Sequence, residues 1–390
     1  MDNATLDATA TPTMTPIPGE TVRIVGFSVY LVLNVLSLLC NLFVGAVFFK
    51  FRKQLFKTAF IIIASQLLLS DVLTNLVQLY IAVPLTLHGT DIYGGTLLHH
   101  LPAFFDTISY NGTLLFILLV SVNLLTMFLW KDANRILFSR PNVFLTILCT
   151  WSYIFIFISV LTIGGCKKSF KPSGFYFRLF CLKNVAAPWA QAMEKVLRYQ
   201  SYVLPCVMFV IYGVLLVYIQ FGFDYAFNGW RLVKVTVVHS NLEDTKMRRK
   251  AEIRLFVQSV LICGFLELQT LGFTFFPRMG LTGEAALYLN IIQNSISILN
   301  ATVHSLIFVV FNSEIRCCSI KLISSVLAFR FFREKSRKAK QTIGWSVGLI
   351  FGVRVLLERS AKRRGGVEEG DVQTVIYRVC RVKDGVTYGT

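Results

Sequence analysis

The sequence predicts an all-α membrane protein: a seven-helix bundle with its N-terminus outside and a short amphipathic helix after the last span. Three observations carry that prediction. Seven long apolar stretches each match the length a helix needs to cross a roughly 30 Å hydrocarbon layer. The 390 residues are 55% hydrophobic and only 15% charged, against roughly 45–50% and 25% in soluble domains, and the mean hydropathy is +0.62. Lysines and arginines gather in alternate connectors. A backbone in lipid must satisfy its own hydrogen bonds, so the stretches must be helices.

Residues 1–23 are Thr- and Pro-rich and carry the sequon Asn3-Ala4-Thr5, which marks Asn3 for glycosylation outside the cell. The first apolar run starts near Ile24, too deep and too long for a cleaved signal. The spans read as 24–49, 58–86, 102–130, 143–165, 197–221, 252–276 and 283–311, together one domain over 24–311. The first connector holds Lys50, Arg52, Lys53 and Lys57; the third holds Lys131, Arg135 and Arg140; the fifth holds Arg231, Lys234, Lys246, Arg248, Arg249 and Lys250. The connector from His88 to His100 has no Lys or Arg. Odd connectors therefore face the cytoplasm; the connector after span four is also basic, with Lys167, Lys168, Lys171, Arg178 and Lys183, which weakens the asymmetry without reversing it. The net charge of +18 reads as attraction to an anionic inner leaflet, and no nucleic-acid motif accompanies it.

The connector after span four contains Cys166 and Cys181. In an oxidising exterior they can close a loop of about 15 residues, worth roughly 3 kcal/mol; two free thiols are the alternative. Residues 312–335 alternate charged and apolar side chains, as in a helix lying on the inner leaflet. Cys317 and Cys318 at its start are candidates for palmitoylation, or else ordinary buried thiols. Arg354 interrupts the run 343–357, so no eighth span is counted, and residues 336–390 read as a basic, disordered cytoplasmic tail.

Polar groups within spans are costly, so each needs a partner or a task. Asn41, Asp71, Asn123, Asn300 and His304 lie in the inner halves and are expected to form one buried polar cluster. Such a cluster can act as a switch satisfied in two helix arrangements, or simply as interhelical glue worth about 0.6 kcal/mol per contact. Asp106, Tyr110, Glu267 and Gln269 lie in the outer halves, where they can line a ligand pocket or merely pack. No hydrolase elbow, Walker loop, HExxH or CxxC pair is present, so no enzyme, metal site or cofactor is expected.

Residues Cys40-Asn41-Leu42-Phe43-Val44 and Leu67-Leu68-Leu69-Ser70-Asp71, with Trp151 in span four, resemble rhodopsin-like receptors. Phe60 to Asp71 with Val83-Pro84-Leu85-Thr86-Leu87, Ser121-Val122-Asn123 followed by Ile136-Leu137-Phe138-Ser139, Gly165-Cys166 with Cys181, Glu252 to Ser259, and Phe311-Asn312-Ser313-Glu314-Ile315-Arg316 are most similar to nematode chemoreceptors of serpentine receptor class X. The resemblance spans about residues 24–320. It implies a plasma-membrane receptor, in cilia of sensory neurons by family analogy, that binds a small molecule in the bundle and activates a heterotrimeric G protein. The chain departs from the superfamily in four places. Leu124 stands where the G-protein-facing arginine is expected, which weighs against ordinary coupling. His304-Ser305-Leu306-Ile307-Phe308 replaces Asn-Pro-x-x-Tyr, and Cys263-Gly264-Phe265-Leu266 replaces Cys-Trp-x-Pro. The cysteine at the outer end of span three is missing; His99 and His100 lie near its place. The alternatives are a channel or transporter, disfavoured by the lack of internal repeats or a filter segment, and a receptor remnant that no longer signals.

Overall fold

A computed structural model describes residues 17–94, 96–181, 186–229 and 239–327. Among them, seven helices are long and apolar enough to span a bilayer: Glu20–Lys50, Ala59–His88, Leu97–Leu129, Arg140–Ile163, Pro188–Tyr218, Phe256–Phe275 and Gly283–Phe311, here spans one to seven. Asn3 and the tail 336–390 lie outside the described residues.

Local chemistry sets the ends. Span two closes on Gly89, whose φ of +70° is a left-handed helix stop. Span four opens with Arg140-Pro141 after the extended Ser139. Pro84 within span two lacks the N–H that would bond the Tyr80 carbonyl. A π-turn at Gln78–Ala82 absorbs the mismatch, and the Tyr93 hydroxyl donates to the orphaned Tyr80 carbonyl at 2.6 Å. Spans two, three and four meet at Gly112, where a Cβ would stand 2.5 Å from Ser70 Oγ and 3.2 Å from the Trp151 ring.

Two boundaries differ from the sequence reading. The fifth helix runs Pro188–Gly229 and the sixth His239–Phe275, so both begin well before the expected 197 and 252. Hydropathy reports only the apolar part of a helix, while its polar turns continue in water. Residues 313–327 form the expected helix after span seven. Ile315 and Cys318 are buried, and Ile320, Ile323, Val326 and Leu327 stay exposed.

The core has two apolar layers. The inner layer joins Val44, Leu67, Ile117, Leu124, Leu215, Ile262 and Phe308. The outer one joins Val22, Tyr30, Ile81, Ile291 and Ile298 with Phe170 and Phe175. Those last two phenylalanines come from an element the sequence reading did not foresee. Strands β1 (Cys166–Lys171) and β2 (Tyr176–Cys181) pair antiparallel, with Cys166 directly opposite Cys181, and a disulfide joins the two.

Candidate functional site

Span seven carries a polar face from the hairpin to mid-bundle. Asn290, Asn294, Ser297, Asn300 and His304 recur at spacings of three and four, which places them on one side of a helix. Between them they meet the hairpin, span two and span six. Asn290 Nδ2 donates to the Gly174 carbonyl at the hairpin turn, 2.8 Å away. Asn294 and Gln78 of span two exchange amide hydrogen bonds at 3.1 and 3.3 Å. Gln269 of span six donates to Ser297 at 3.0 Å and accepts from Asn300 at 2.7 Å. His304 Nδ1 lies 2.9 Å from one Asp71 oxygen and 3.2 Å from the other.

The Asp71–His304 pair is sealed, at 2% and 0% exposure. Around it, Ser305 donates to Asn41, Asn41 Nδ2 lies 3.4 Å from Ser37 Oγ, and Asn75 donates to the same Ser37 at 2.9 Å. Spans one, two and seven are thus locked at one level. His304 Nε2 stays without a hydrogen bond among the described residues, so the ring has unused capacity beside a carboxylate.

The expected five-residue cluster divides here. Asn41, Asp71 and His304 come together; Asn123 and Asn300 do not join them. Asn300 sits about 6 Å further out along span seven and turns to span six. Asn123 lies at the inner end of span three, where Asn134 of the second inner connector donates to its carbonyl at 3.0 Å. Depth along a helix was readable from the sequence, but the direction a side chain faces depends on helix rotation.

The four outer candidates also divide. Asp106 is held by Lys168 of β1, and Gln269 is committed to span seven. Tyr110 and Glu267 both face the region between spans three, five and six: the phenol bonds with Thr270 of span six and Ser201 of span five, within electrostatic reach of Glu267. Glu267 Oε2 is buried without a hydrogen-bond partner among the described residues. An unpaired carboxylate in a bundle is an acceptor awaiting a donor.

The hairpin closes the outer mouth. Phe170 and Phe175 are buried at 2% and 0% exposure. Phe175 has a φ of 57°, a backbone region costly for a bulky residue, of order 1–3 kcal/mol. Three bonds hold it there besides its burial. Tyr30 donates to its carbonyl at 3.2 Å, Asn290 holds Gly174, and the Phe170 N–H donates to His99 Nε2 at 3.3 Å. His99 Nδ1 in turn lies 3.3 Å from Asp91. In the absence of a cysteine on span three, His99 and Asp106 tie that helix to the hairpin by hydrogen bonds. The signal in the sequence was partial: the aromatic-rich run Tyr176–Cys181 follows the turn residues Pro172-Ser173-Gly174, while the first strand, Cys166–Lys171, is mostly polar.

At the inner end, Leu124 is fully buried in the apolar layer and offers no cation to the cytoplasm. Cys318 is buried as well, and burial pushes its thiol up to about 11, so it stays protonated at neutral pH. Cys317 beside it is partly exposed.

The comparisons bear on this geometry directly. Residues 31–312 match the description of the family "Serpentine type 7TM GPCR chemoreceptor Srx". This chain belongs to the Srx family. Its fold is similar to that of squid rhodopsin in its crystal structure, with a TM-score of 0.62 at 14% identity, covering 78% of this chain and 87% of that one. No curated protein matches the sequence. The Srx chain is a multi-pass membrane protein and a G protein-coupled receptor-like chemosensory receptor, and its family and fold are those of receptors.

Proposed function

We propose that this Srx receptor takes its small molecule beneath the hairpin, between Tyr110 and Glu267, and passes the event inward along span seven to a heterotrimeric G protein. The observation that carries the reading is the continuous polar face Asn290–His304, which is bonded in turn to the hairpin, span two, span six and span two again. A ligand shifts such a bundle only by its differential affinity for two arrangements. Gln269 is the coupling arm, because it bonds span six to two positions of that face. Glu267 supplies an unused acceptor for a donor on the ligand. By family analogy the receptor works at the plasma membrane, in sensory cilia.

Leu124 favours a second reading, in which the bundle folds but no longer couples. Cells carrying a promiscuous G-protein reporter separate the two. Leu124→Arg is expected to raise basal signal above the native chain, and Gln269→Ala on that background to change it again. Unaltered silence in both variants, at equal surface expression, supports the remnant. Ionic current without any reporter response would sink the receptor reading.

A further inference from the structure

We propose that the cytoplasmic corner after span one, Phe49–Gln54, is a binding site for the phosphorylated headgroup of an anionic inner-leaflet lipid. An open hollow of about 420 Å³ is lined by Phe49, Lys50, Phe51, Arg52, Lys53 and Gln54, a volume in the range of small-molecule sites. Its three cations are exposed, and none forms an ion pair with a carboxylate among the described residues. They are also oriented. The Arg52 guanidinium lies 5.6 Å from the Phe49 ring centre, and the Lys50 ammonium 5.8 Å from that of Phe51. Lys50 Nζ donates to Ser325 Oγ at 2.8 Å, which brings the helix 313–327 to the rim.

The surroundings decide between anions. An acidic peptide or a soluble phosphate needs only the charges. Here Phe49 is 75% exposed at the end of a membrane span, and Ile320, Ile323 and Val326 of the adjoining helix form an exposed apolar face. A ligand that satisfies both sets at once has a phosphate for the cations and acyl chains for the apolar rim. The charge falls where an anionic leaflet lies, on the cytoplasmic side.

The test uses the full chain in phosphatidylcholine nanodiscs doped with a photoactivatable phosphatidylinositol bisphosphate, with crosslinked peptides mapped by mass spectrometry. Labelling is expected to concentrate on Phe49–Gln54. The Arg52→Ala/Lys53→Ala variant is expected to lower it on the order of tenfold. The charge-matched Lys131→Ala/Arg135→Ala variant, in another basic connector, is expected to lower it less than about twofold. Lys53→Ala alone, removing an exposed side chain with no hydrogen bond or ion pair among the described residues, serves if the double variant folds poorly. Even labelling of all basic connectors, equal labelling by a phosphatidylcholine probe, or undiminished labelling of the variants overturns the proposal. Full displacement by equimolar inositol trisphosphate, which has no acyl chains, also overturns it and assigns the hollow to a soluble anion.

Discussion

Two halves of the bundle solve the polar-group problem differently. Spans one, two and seven are stitched by bonded pairs: Asp71–His304, Asn41–Ser305, Ser37–Asn75 and Gln78–Asn294. Among the described residues span six makes one such junction with span seven, through Gln269; both halves keep some buried polar atoms unpaired, Asn34 Oδ1, Asn75 Oδ1 and His304 Nε2 in the first half among them. Gln258 is fully buried with both amide atoms unbonded, and Glu267 Oε2 is likewise alone among the described residues. The difference teaches which half is the frame and which the moving part. A densely cross-bonded set of helices resists rearrangement, because each broken bond leaves a polar group unpaired. A helix joined through one side chain has less to lose by moving.

The sharpest way to break that comparison is to cut the frame. His304→Ala leaves Asp71 uncompensated and is expected to cost about 3–5 kcal/mol of stability, in the range for breaking a buried ion pair. Thermal unfolding in detergent would show it, and adding Asp71→Asn should restore most of the loss. A small cost for His304→Ala alone would mean the pair holds nothing together.

Next in size is the hairpin. Lys168→Met removes the partner of a largely buried Asp106 and is expected to cost about 1.5–3 kcal/mol. Hydrogen exchange should rise at Cys166–Cys181 and remain unchanged at span two. His99→Ala should loosen the same strands by a smaller amount.

Gln269→Ala tests the junction of span six with span seven. Interhelical hydrogen bonds in bilayers average about 0.6 kcal/mol, so the stability loss should be of that order while basal signalling shifts more visibly. If this variant costs as much as His304→Ala, span six belongs to the frame after all.

The smallest effect is expected at Glu267. Glu267→Gln removes a carboxylate whose buried oxygen has no partner, so stability should be unchanged within about 0.5 kcal/mol or rise slightly. Response to an agonist, once one is found in a reporter screen, should fall instead. A marked drop in unfolding temperature would show that Glu267 is a structural group.

Much of the fold was legible from local composition. Span existence, the outside N-terminus and the amphipathic helix follow from hydropathy, loop charge and alternation, which each segment carries by itself. Asn41, Asp71 and His304 were also rightly placed at one depth, since rise per residue converts position to height. Asn123 and Asn300 were grouped with them by depth alone, and the structure turns both elsewhere. A one-residue change in helix phase rotates a side chain by about 100°, so facing direction cannot be read from height. The hairpin was missed because its strands are short and polar, and only its docking against Tyr30, His99 and Asn290 buries its phenylalanines.

The amino-acid order by itself determined that this chain has seven helices long and apolar enough to cross a bilayer and which family it belongs to, because hydropathy and motif order are carried segment by segment. Tertiary packing alone decided that His304 meets Asp71, that Gln269 bridges two helices, that Lys168 caps Asp106 and that Glu267 is left with an unpaired oxygen. Those outcomes depend on how helices rotate and tilt against one another, and that is set by the fit of every buried side chain at once.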